Sequence, residues 1–108
     1  MYKFKSRVTG DLIMLEPNGR QILKILGKDE ASLAKGILLP EQMLPAIAAL
    51  EAAIAHDEAA QKQRAKEALD KGLPLPRPEG VSLRLRATPV IAMIKRCHQA
   101  DTEIVWGV

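Results

Sequence analysis

Val81-Ser82-Leu83-Arg84-Leu85-Arg86-Ala87-Thr88-Pro89-Val90-Ile91-Ala92-Met93-Ile94-Lys95-Arg96-Cys97-His98-Gln99-Ala100-Asp101-Thr102-Glu103-Ile104-Val105-Trp106-Gly107-Val108 is the stretch that decides the fold. Its first eight residues fit two periods. Val81, Leu83, Leu85 and Ala87 alternate with Ser82, Arg84 and Arg86, as in a strand with one buried face. Leu83, Ala87, Val90, Ile94 and Cys97 form a longer stripe at helical spacing, and Ser82 stands where an N-cap is needed. The longer stripe predicts a helix. Pro89 then either kinks it or, with Thr88 as cap, starts a second one. From Glu103 onward, apolar residues fall on both faces, which predicts a buried strand over 103–107 that closes a sheet. A helix returning into a strand implies a mixed α+β fold.

The N-terminus supplies the neighbour for that strand. Tyr2, Phe4 and Val8 alternate with Lys3, Lys5 and Arg7, a period of two expected for a strand over 2–8. Its lysine-bearing outer face suits an edge position, where like charges discourage pairing between molecules. Thr9-Gly10-Asp11 turns the chain into a short apolar segment at 11–16, and a helix is expected from about Asn18 to Leu26, stopped by Gly27. Gly36 to Leu39 can add a short strand. Met43, Leu44, Ile47, Leu50 and Ile54 mark the buried face of a long Ala-rich helix over 41–71. Beyond Ala55 the stripe disappears, so the second half of that helix is expected to project into solvent or fray. Prolines 74, 76 and 78 make a stiff linker. The expectation is a single domain over 1–108, with a solvated helix end and Pro-rich linker at about 55–80 as its mobile part. Its sheet has two or three strands, covered on one face by about three helices.

Composition narrows the function classes. Apolar residues make up 47% of 108 residues, enough for a core, while aromatics are 3%, so Leu, Ile, Val, Met and Ala must build it. The net charge of +3 is spread among 16 basic and 13 acidic residues with no run of five or six like charges. One Cys cannot form an internal disulfide. Neither a signal-peptide segment nor a membrane-length apolar run is present, so a cytoplasmic protein without membrane contact is expected.

Four residues draw attention as carriers of chemistry: Asp11, Cys97, His98 and Trp106. A thiolate nucleophile needs a base or a positive charge beside it. Neighbours on a helix point about 100° apart, so His98 does not serve Cys97 by adjacency. Cys97 falls on the apolar stripe and reads as core, with catalysis or redox sensing as the sharper alternative. His98 suits the negative end of the helix dipole. Asp11 reads as a turn or cap residue, and Trp106 as a core anchor whose indole N–H needs a partner. Metal-ligand spacing and phosphate-loop glycines are missing, so no metal and no cofactor is expected. Lys3, Lys5, Arg7, Arg84 and Lys95 raise a nucleic-acid reading, but stacking aromatics lie on the face opposite the lysines.

Phe4-Lys5-Ser6, Gly10-Asp11 with Ile13-Met14-Leu15, Gly27-Lys28, the Ala-rich helix, Val81-Ser82-Leu83-Arg84 with Arg86-Ala87 and Pro89, and the terminal Ile104-Val105-Trp106-Gly107 together resemble a family of bacterial proteins catalogued as domain of unknown function 1840. The likeness spans nearly the whole chain and is weakest over 56–80. It implies a short cytoplasmic protein and carries over no catalytic residue. The function expected is therefore a small non-enzymatic binding or protein-interaction module, possible as a homodimer through the Ala-rich helix or a sheet edge. A nucleic-acid-associated protein using the basic strand face is the alternative, and a thiol-dependent enzyme or redox sensor using Cys97 the second alternative.

Overall fold

The computed structural model describes residues 2–74 and 82–107. Val81, Val108 and most of the proline-rich linker lie outside the described residues. Within them the order is β1 (Tyr2–Lys5), β2 (Leu12–Met14), α1 (Glu16–Ile25), α2 (Glu30–Ala34), β3 (Gly36–Leu38), α3 (Pro40–Asp70), α4 (Leu83–Gln99) and β4 (Ile104–Trp106). The strands form one antiparallel sheet in the order β2-β1-β4-β3. The fold is α+β, as expected, with four strands instead of two or three.

β1 and β4 are neighbours, with Phe4 opposite Trp106 and Lys5 opposite Val105. Both stand inside the sheet, which corrects one expectation. β1 is not an edge, because the 11–16 segment folds back as β2 and pairs Lys3 with Ile13. β4 is inserted between β1 and β3, with Ile37 also opposite Val105. The two-faced apolarity of β4 has a simple cause: Ile104 and Trp106 enter the core, and Val105 stands half-buried on the other face.

Pro17 begins α1 instead of delaying it to Asn18, since a first-turn position makes no use of the missing N–H. The helix ends at Gly27, whose φ of 85° lets its N–H reach the Lys24 carbonyl while Lys28 N–H reaches Leu23. The five-residue α2 has no apolar stripe to announce it, and its signal is Asp29, whose side chain accepts from Ser32 N–H at 2.9 Å. α4 is one helix. Ser82 caps it by accepting from Leu85 N–H, and Pro89 lies inside it, one turn after the exposed Leu85, without ending it. α3 runs unbroken to Asp70, although most residues past Ala55 are exposed, as the lost stripe predicts.

Tyr2, Phe4, Ile22, Leu23, Leu33, Leu38, Met43, Leu50, Ala87, Ile94, Cys97, Ile104 and Trp106 belong to one buried cluster that joins one face of the sheet to the helices. Two glycines make room for its aromatics. A Cβ on Gly19 would meet the Tyr2 ring at 2.3 Å, and one on Gly36 would meet Trp106 Cζ2 at 2.6 Å. The sheet's other face has no described element over it, with Ile13 53% and Ile37 42% exposed.

Candidate functional site

Cys97 ends up at the last turn of α4 with its side chain fully buried. Its thiol donates to Ser6 Oγ at 3.1 Å, and the same oxygen accepts Val8 N–H at 3.3 Å. Ser6 lies just beyond β1, so this bond ties the end of α4 to the sheet. Neither a histidine nor a cation bonds the sulfur, and a sulfur shut off from solvent cannot meet a substrate without local opening. The arrangement is that of a small polar core contact.

His98 is half-buried in the same turn, where its position at the carbonyl end of the helix is electrostatically favourable. Its carbonyl accepts the N–H of Asp101, and that of Cys97 accepts Thr102 N–H at 2.9 Å. Asp101 is left-handed at φ 52° to permit these two bonds, so α4 is closed by an aspartate where α1 and α3 use Gly27 and Gly72. Asp11 is exposed in the β1–β2 connection. Cys97 and Trp106 are buried members of one core cluster, and the exposed Asp11 is not part of it. Among the described residues, no group of three His, Cys, Asp or Glu side chains converges as a metal site would require.

Trp106 is 1% exposed. Its indole N–H donates to the Ser32 carbonyl at 2.7 Å, and its ring meets Phe4 edge-on at 5.9 Å between centroids. Lys28 Nζ sits 5.6 Å from the ring centroid and donates to the Ile37 carbonyl at 3.0 Å. Gly107 follows at φ 74°, pressed so close to the Ala34–Lys35 backbone that a Cβ would lie 2.1 Å from the Ala34 carbonyl oxygen. The Val-Trp-Gly ending thus locks β4 to α2 and β3.

Polar chemistry on the helical layer is structural as well. Arg84 of α4 grips Glu58 of α3 with both ends of its fork, at 2.8 and 2.7 Å. That guanidinium holds the Glu58 carboxyl below its usual value of 4.5, and the carboxylate raises Arg84 in return. Arg86 joins α4 to α1 through Asn18 at 3.0 Å and through Gln21, its Nε buried without a partner. An open groove of about 530 Å³ runs along α1 past Pro17, Arg20, Gln21, Lys24 and Ile25. A smaller one of about 250 Å³ lies where Glu51 and Ile54 of α3 meet Arg84, Thr88 and Ile91 of α4. Neither encloses a ligand-sized space.

The uncovered face of the sheet is the surface that packing leaves unexplained. Lys5, Val105 and Ile37 form one row across β1, β4 and β3, and Lys3 and Ile13 form a second across β1 and β2. Arg7, past the end of β1, is held by Glu103 at 3.5 Å. Sequence reasoning found Lys3 and Lys5 by alternation but missed Ile13, Ile37 and Val105 as their companions. The signal was there once 12–14 and 36–38 are taken as strands, because register then fixes which residues point outward.

The model of the family described as Domain of unknown function (DUF1840) matches residues 1–106. The chain belongs to that family. Comparison with curated proteins and with solved structures found no match. Membership of the DUF1840 family accounts for the likeness carried by the terminal Val-Trp-Gly and leaves the activity open. No helix among the described residues is long and apolar enough to cross a membrane.

Proposed function

We propose that this DUF1840 protein is a small, non-enzymatic protein-interaction module of the bacterial cytoplasm, working through the uncovered face of its sheet. The observation that carries the reading is the alignment of Ile13, Val105 and Ile37 with Lys3 and Lys5 on that face. Lysines on the inner strand β1, flanked by Ile13 on one side and by Val105 and Ile37 on the other, favour a partner surface with an acidic strip between apolar ones. The buried, serine-bonded Cys97 lends no support to thiol chemistry.

The same face supports nucleic-acid binding poorly. Tyr2 and Phe4 are 7% and 4% exposed on the opposite side and have no surface to offer a base. Arg7 and Arg84 are each engaged by a glutamate. Tagged protein used as bait in a host lysate, with and without nuclease, tests the reading. A defined protein partner should survive nuclease and be lost from a Lys3→Glu, Ile37→Lys double variant that keeps its circular dichroism. Capture that vanishes with nuclease, or a partner indifferent to both substitutions, sinks it.

A further inference from the structure

The two margins of the sheet are finished differently. At β3, Lys28 bonds the Ile37 carbonyl and α2 packs alongside, so that edge is blunted. At β2, no described strand lies beyond Leu12–Met14. The run Leu12-Ile13-Met14-Leu15 carries no charge and no proline, and Ile13 and Leu15 are 53% and 60% exposed. An antiparallel strand turns alternate N–H and C=O groups away from its single neighbour, and an uncharged apolar edge lacks the usual protection against pairing. This is an open strand edge.

We infer that a second copy of this chain occupies it, β2 pairing antiparallel with β2 about a twofold axis at Ile13. Charge selects this occupant and this geometry. With the axis at Ile13, Leu12 stands opposite Met14 and Asp11 opposite Leu15, so no like charges meet along the seam. Leu15 is the N-cap of α1 and gives that helix no side-chain cap. Asp11 of each copy is thereby brought to the unprotected positive end of the other copy's α1, where a carboxylate is favourable. The nearby Glu16, in the first turn of the same helix, faces Arg20 at 3.6 Å in an exposed ion pair. The alternative twofold, sheet face on sheet face, would gather Lys3 and Lys5 of both copies into one seam whose rows hold no acidic residue, and is disfavoured on charge. Pairing joins two four-stranded sheets into one of eight and gives Asp11, idle in the monomer, a partner. The inference concerns the edge and does not rest on the proposed use of the face.

A three-residue seam buries little, which places the association among the weak contacts that cover under about 1,200 Å². Sedimentation velocity of the full chain from about 5 to 500 µM should show a monomer passing to a dimer with rising concentration. Asp11→Arg should weaken that dimer at least tenfold, while Ile37→Lys, which disturbs the face and the far margin, leaves it unchanged. Both sites are exposed, so both variants should keep the wild-type circular dichroism. Under mild oxidation Ile13→Cys should form a disulfide-linked dimer and Ile37→Cys should not, Cys97 being buried. A monomer at every concentration overturns the inference, as does a dimer that ignores Asp11→Arg or that cross-links through position 37.

Discussion

Trp106 and Gly36 occupy opposite sides of one close contact, and their substitutions should be coupled in a calculable way. Trp106→Phe removes the indole N–H that bonds the Ser32 carbonyl, a loss of about 1 kcal/mol. It also removes part of a fully buried ring system, worth ~1–2 kcal/mol, so the variant should lose about 2–3 kcal/mol in all. Gly36→Ala forces a Cβ to 2.6 Å from Trp106 Cζ2 and 2.9 Å from Cε2. Overpacking of that kind costs ~1–3 kcal/mol, offset by roughly 0.5–1 kcal/mol from a less flexible unfolded chain. Cζ2, the nearer of the two, belongs to the part of the indole that phenylalanine does not reach. In the Trp106→Phe background the added methyl therefore fills vacated space, and Gly36→Ala should become at least ~1 kcal/mol less damaging. Urea unfolding followed by far-ultraviolet circular dichroism is the assay, because the chain's single Trp is lost as a fluorophore. Additive losses, within about 0.5 kcal/mol, would refute the claim that Gly36 exists to seat the indole.

Asp101 holds the left-handed position that closes α4, at φ 52°, where glycine pays no steric penalty. Asp101→Gly should therefore stabilise the fold by ~0.5–1 kcal/mol, seen as a raised thermal midpoint; an unchanged or lowered one contradicts the reading. The Glu58–Arg84 pair makes a pH-dependent prediction. Because the folded Glu58 pKa is lowered, its contribution is present above the ordinary value of 4.5 and lost as pH falls through the folded value. The difference in thermal midpoint between wild type and Glu58→Gln should be small at neutral pH, weaken with salt, and close toward pH 3. A gap that persists at low pH rules the pair out as its source.

How much of this was legible in the sequence depended on whether an element carries its own period. The α4 stripe with Ser82 as cap, the alternation of β1 and the Ala-rich α3 do so; the two helices formed close to their expected bounds, and β1 formed over Tyr2–Lys5, the first part of the 2–8 expected. β2 and β3 are three residues long, too short for alternation to distinguish strand from loop. Missing β2 as a strand placed β1 at the edge of the sheet. Its lysines, read as protection of an edge, instead decorate the outer face of an inner strand. α2 was hidden for a related reason: five residues contain one buried position, Leu33, and no repeat. At the candidate residues, the stripe correctly placed Cys97 in the core, while its partner Ser6 was invisible because the two are 91 positions apart.

The residues that carried the family likeness turn out to have packing duties. Ser6 receives the Cys97 thiol, Gly27 ends α1, Ser82 caps α4, Trp106 bonds Ser32, and Gly107 fits where no Cβ can. A pattern made of such residues identifies a fold and is silent about activity. What the chain does must then be sought among side chains to which packing assigns nothing. Ile13, Ile37 and Val105 are β-branched, and strand preference accounts for part of their presence, but threonine meets that preference without exposing apolar surface. Preference also does not explain why all three share one face and register with Lys3 and Lys5. Nor does it explain why the uncharged edge beside Ile13 is left open while Lys28 blunts the far one. That asymmetry is a property of the assembled sheet, contributed by residues as far apart in the chain as Lys3 and Val105, and it becomes readable only when the strands are set side by side.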